Sequence, residues 1–101
     1  MMNINGAKNK VEKELERKKN PYDSIEPVII DNEIIEKEWG WVFFYQNKKY
    51  LETNNIDDAL AGNAPYIVNR HTGEIIETGT AKPIEEYISE YEVKIKNERN
   101  T

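Results

Sequence analysis

The sequence predicts an α+β domain, a four-stranded antiparallel sheet with one N-terminal and one C-terminal helix, in the order α-β-β-β-β-α. Three observations predict it. Apolar residues recur at helical spacing near both ends of the chain, branched and aromatic residues crowd its middle, and a glycine-closed hairpin follows them. At 101 residues there is room for one modest core and a single domain, 1–101.

Ile4, Ala7, Val11 and Leu15 share one narrow stripe, so residues 5–19 read as an amphipathic helix. Asn20-Pro21 stops it, because proline disfavours helical geometry in the residue before it. A stripe this narrow is expected to cover one edge of a sheet and to dock less firmly than the last helix. From Pro27 the pattern turns to strand. Val28-Ile29-Ile30, Ile34-Ile35 and Trp41-Val42-Phe43-Phe44-Tyr45 suit a pleated surface, with a turn over Lys37–Gly40. Alternation puts Trp41, Phe43 and Tyr45 on one face and Val42 and Phe44 on the other. Both faces are apolar, which demands an inner strand with something packed on each side.

Residues 46–63 carry turn signals, with a short strand expected at Tyr50-Leu51 and one helical turn at Asp57–Ala61 capped by Gly62. Next, Tyr66-Ile67-Val68 and Glu74–Thr78 flank a polar loop that Gly73 closes, the pattern of a β-hairpin. Pro83 suits a first helical residue. Glu85 and Glu86 in the first turn, with Lys94, Lys96 and Arg99 near the last, match the helix dipole. Ile84, Tyr87, Ile88, Tyr91 and Ile95 form the stripe of this main helix, residues 83–97. Residues 1–4 and 97–101 are expected to fray.

Charge narrows the classes of partner. Residues 1–20 carry +3 and the remainder −8, for a net −5. So negative a body repels phosphate backbones, and nucleic acid is not expected as a partner. A basic protein is favoured instead. No apolar run is long enough for a membrane span, and the polar start lacks a signal peptide's apolar stretch. A cytoplasmic protein with no membrane association is the expectation.

Reactive chemistry is equally sparse. The chain has no cysteine and one histidine, His71, in the hairpin loop with no carboxylate nearer than Glu74. A thiolate zinc site and a two-histidine metal site are therefore not expected. Glu85-Glu86 and Asp57-Asp58 are adjacent pairs, and adjacent residues do not share a helical face as an acid/base dyad requires. Gly62, Gly73 and Gly79 form no phosphate-binding string. No catalytic residue, cofactor or metal is expected, and the chain is not read as an enzyme. The aromatics could stack nucleobases, but that use needs a positive groove, so core packing with one or two interface anchors fits better.

Three blocks carry a resemblance: GWVFFYQNKKYLET (40–53), LAGNAPYIVNRHTGEI (60–75) and GTAKPIEEYISEYE (79–92). Over residues 28–92 the chain resembles the immunity protein 35 family, the YrhB-like domains. The matching positions are turn formers and core aromatics: Trp41, Tyr45, Leu60, Gly62, Asn63, Pro65, Gly73, Gly79, Pro83 and Tyr87. Two departures are Ala64, where the family favours glycine, and the loop Asn69-Arg70-His71.

The resemblance implies a small domain of bacterial polymorphic-toxin systems that neutralises a cognate toxin by stoichiometric binding. For such a protein the expected contact surface is the mid-chain loop, with Glu52, Asp57 and Asp58 steering a basic toxin domain and Tyr50 and Trp39 as anchors. The exposed side of the last helix, Glu85, Glu86, Ser89, Glu90 and Glu92, is the rival surface. A chaperone-like holdase, a self-associating module (a homodimer) and, last, a hydrolase are the alternatives.

Overall fold

Strand pairing divides the β-rich middle of the chain between two antiparallel sheets. In the computed structural model, which describes residues 2–99, α1 (Ile4–Lys18) leads through a loop to β1 (Pro27–Ile29), a 3-10 turn (Asp31–Glu33) and β2 (Ile35–Lys37). Next come β3 (Gly40–Phe43), β4 (Tyr45–Asn47), α2 (Lys48–Thr53) and a second 3-10 turn (Ile56–Asp58). The hairpin β5 (Tyr66–Asn69) and β6 (Ile75–Glu77) precedes α3 (Ile84–Arg99). The four-stranded sheet runs β2-β3-β5-β6, and β1 pairs with β4 in a separate two-stranded sheet.

The expected four-stranded sheet and flanking helices are present; the second sheet is an addition. The segment expected as one strand, Trp41–Tyr45, breaks at Phe44. Before the break Trp41 opposes Glu36 and Val68, and after it Tyr45 opposes Ile29. The alternation survives the break. Trp41, Phe43 and Tyr45 all face one core cluster, while Val42 and Phe44 face another.

The two helices lie against opposite faces of the sheet. Ala7, Val11 and Leu15 of α1 are buried against Trp41, Phe43, Tyr45, Tyr66 and Val68. Ile88 and Tyr91 of α3 are buried against Trp39, Val42 and Ile67. The expectation that α1 covers only a sheet edge is corrected: Ala7 and Val11 are fully buried. Ala7 adds little bulk to this stripe, and the branched and aromatic groups of the sheet supply the rest of the packing.

α1 starts with Asn3, whose side-chain oxygen accepts the Gly6 N–H at 2.8 Å. Gly62 and Gly73 have φ of 69° and 75°, the left-handed geometry expected of them. α3 begins one residue later than expected. The short strand expected at Tyr50-Leu51 is instead part of α2, and the turn at Asp57–Ala61 is the 3-10 turn Ile56–Asp58. Of the ends expected to fray, residues 1, 100 and 101 lie outside the described residues, while Ile4 and residues 97–99 are helical.

Candidate functional site

The mid-chain surface is built where the two-stranded sheet gives way to α2. Asn47, the last residue of β4, is buried and sorts the local backbone. Its side-chain oxygen accepts the Glu26 N–H at 3.1 Å and its amide donates to the Asp58 carbonyl at 2.8 Å. Gln46 accepts the Leu60 N–H on the same side of the chain. α2 then ends on Asn54, whose φ of 57° reverses the chain. The N–H of Asp57 donates to the Asn55 side chain at 3.0 Å, which shapes the following turn.

These constraints gather Tyr50, Glu52, Asp57 and Asp58 on neighbouring elements. Their roles differ. Glu52 and Asp57 are exposed. Asp58 is largely covered: it accepts the Thr53 hydroxyl at 2.9 Å and pairs with Lys49 at 3.7 Å. Its carboxylate therefore ties α2 to the 3-10 turn. Tyr50 is half-buried. Lys48 and Lys49 are also exposed here, so the surface is mixed in charge with its free carboxylates towards Glu52 and Asp57.

Trp39 is not on this surface. It is 5% exposed, its indole N–H donates to Glu92 at 3.0 Å, and its ring meets Tyr91 edge-on with centroids 4.9 Å apart. The tight turn at Gly40 carries Trp39 to the Val42 face of the sheet, under α3. That indole is a core group and is corrected as an anchor. In its place stand two apolar residues not expected as anchors, Ile56 at 76% exposed and Leu51 at 43%. The signal for Ile56 was available: an isolated branched residue between Asn55 and Asp57 in a turn has no strand or helix stripe to join.

The rival face on α3 is partly occupied. Glu92 accepts the Trp39 indole and Glu90 pairs with Lys82. Glu74 accepts the Tyr91 hydroxyl at 3.1 Å, and Tyr91 in turn accepts the Asn69 amide at 2.9 Å. Burial raises the Tyr91 phenol, with the Asn69 bond opposing it. His71 is exposed in the hairpin loop, with its backbone N–H donated to Asn69. Among the described residues no group of three or more His, Asp or Glu is placed to hold a metal ion, and no helix is long and apolar enough to cross a membrane.

The family model described as immunity protein 35 matches residues 5–91. The chain belongs to the immunity protein 35 family. The match extends beyond the resemblance at residues 28–92 and takes in most of α1, consistent with that helix closing one face of the core. The chain is also 49% identical over 55 residues to the "Uncharacterized protein YrhB" of Escherichia coli (strain K12), an alignment covering 54% of this chain. It spans 58% of that curated relative's length. No solved structure matches.

Proposed function

We propose that the chain is an immunity protein that neutralises a cognate bacterial toxin domain by stoichiometric binding in the cytoplasm, without catalysis. Membership of the immunity protein 35 family is the observation that carries this reading. The accessible face of α2 and the 3-10 turn supports the choice of contact surface, because exposed Leu51 and Ile56 lie beside the free carboxylates of Glu52 and Asp57. Apolar groups excluded from water hold a complex together, and surrounding charge sets how fast it forms. Tyr50 borders this patch, and Asp58 acts through the shape of the turn.

The test is co-purification with the protein encoded alongside, followed by rescue of cells expressing that protein. Rescue by the wild type, lost on Glu52→Lys with Asp57→Lys in a folded protein, is the expected result. No rescue and no complex would overturn the reading. Rescue that survives the double reversal would move the contact surface elsewhere.

A further inference from the structure

Asn5-Gly6 is the only asparagine–glycine pair in the sequence, and it lies in the first turn of α1. Both residues are exposed. An asparagine followed by glycine carries its own nucleophile. No Cβ shields the Gly6 nitrogen, and the freedom of a glycine backbone lets that nitrogen reach the Asn5 side-chain carbonyl carbon.

The fold holds this reaction back. Helical backbone at Asn5 keeps the Gly6 nitrogen out of line with that carbon, so a ring closes only from non-helical dihedrals. The Gly6 N–H, one of the first-turn donors that a helix leaves without an internal partner, is donated to the Asn3 side chain at 2.8 Å. That cap must break before the nitrogen is free. Neighbouring bonds brace the same turn: the Met2 N–H donates to the Arg70 carbonyl at 3.0 Å and the Ala7 N–H to the Asn3 carbonyl at 3.0 Å. Ala7 itself is fully buried.

We infer that Asn5 is a site of spontaneous deamidation, gated by opening of the first turn of α1. When the turn opens, the Gly6 nitrogen bonds to the Asn5 side-chain carbonyl carbon. The bond from that carbon to Nδ2 breaks, and ammonia leaves with the proton that Gly6 gives up. Water then opens the succinimide ring at either carbonyl. One opening yields aspartate, and the other an isoaspartyl linkage that routes the main chain through the side chain. The two products act in opposite directions. α1 has no acidic residue in its first turn, so an aspartate at position 5 adds the charge that the helix dipole favours. The isoaspartyl form lengthens the main chain by a methylene between the Asn3 cap and buried Ala7, and the first turn cannot reform around it. Neither Asn5 nor Gly6 belongs to the α2 surface, so this inference stands apart from the toxin reading.

Ageing the full chain in warm, mildly alkaline buffer tests it, with peptide mapping by mass spectrometry and Asn5→Asp as the reference product. Asn5 is expected to convert ahead of the other asparagines, and roughly tenfold or more faster in urea than in the folded chain. Asn3→Ala, which lacks the cap, is expected to deamidate roughly fivefold faster when folded and at the wild-type rate in urea. Gly6→Ala brings a Cβ no nearer than 3.4 Å to its neighbours, so this variant folds and keeps Asn5 intact. The aspartate product should melt no lower than the starting protein, and the isoaspartyl product below it. An Asn5 that survives while other asparagines convert overturns the inference. So does a folded rate equal to the rate in urea, or one that Asn3→Ala leaves unchanged.

Discussion

Placing a methyl group on Gly40 would test the sheet at its most crowded point. A Cβ there would sit 1.9 Å from the Val68 carbonyl oxygen and 3.0 Å from the Asn69 Cα, all of it backbone of the neighbouring central strand. No rotamer change can relieve that overlap. β3 and β5 must part by more than an ångström at the Gly40–Asn69 pair, beside Trp41, Val42 and Phe43. Central-strand displacement belongs with the severe single substitutions, so Gly40→Ala is expected to cost about 4 kcal/mol or more. That is a large part of the ~5–15 kcal/mol typical of a folded domain. Gly62 is the control. Its φ of 69° is positive, like the 156° of Gly40, but a Cβ there would meet nothing within 4 Å. Gly62→Ala should cost only the left-handed backbone penalty, about 1–2 kcal/mol. Guanidinium unfolding followed by tryptophan fluorescence suits both variants, because Trp39 and Trp41 are buried. If Gly40→Ala is no less stable than Gly62→Ala, the close approach of the two strands is not what requires glycine.

Trp39→Phe keeps a ring beside Tyr91 but removes the indole N–H from Glu92, for an expected loss of about 1–2 kcal/mol; thermal melting of Trp39→Phe, of Glu92→Gln and of the double variant should show non-additive losses. Burial pushes the Tyr45 phenol up to about 12 and also raises Tyr66. A raised folded-state value means the stabilisation is complete below the unfolded value near 10 and drains away as pH climbs through about 12. Unfolding midpoints between those limits should fall steeply, and Tyr45→Phe should flatten the fall; an identical slope in the variant would discount burial of this phenol. In the proposed toxin complex, Ile56→Ala should leave stability within about 0.5 kcal/mol and speed dissociation roughly tenfold, as read by surface binding kinetics. Glu52→Lys with Asp57→Lys should slow association at low salt and converge with the wild type at high salt.

Local rules carried the hairpin and α3 because their signals sit within a few residues: Gly73 closes the loop, and the α3 stripe repeats at helical spacing. They also carried the two-faced character of β3. What they missed lies in pairings across the chain. Period-two alternation runs unbroken from Trp41 to Tyr45, so nothing local marks Phe44 as the point where the strand changes partners. Its carbonyl accepts the Ile30 N–H, a bond between segments 14 residues apart in sequence number. Trp39 was misplaced for the same reason: its partners, Tyr91 and Glu92, are more than fifty positions away. α2 escaped because its six residues bury no apolar stripe, leaving only the Asn54 reversal to define it. Of the proposed surface, the free carboxylates were legible as exposed charge; Ile56 was legible too, but as an isolated apolar residue in a turn that belongs to neither repeat.

The change of partners at Phe44 ties the periphery to the interior mechanically. Residues 40–47 are one continuous run, anchored at its start between two neighbouring strands and delivering α2 at its end. A ligand that binds only the folded α2 consequently raises the cost of opening this whole run, the central strand included. Amide deuterium uptake should register this as added protection at Val42 and Phe43, residues that such a ligand never touches.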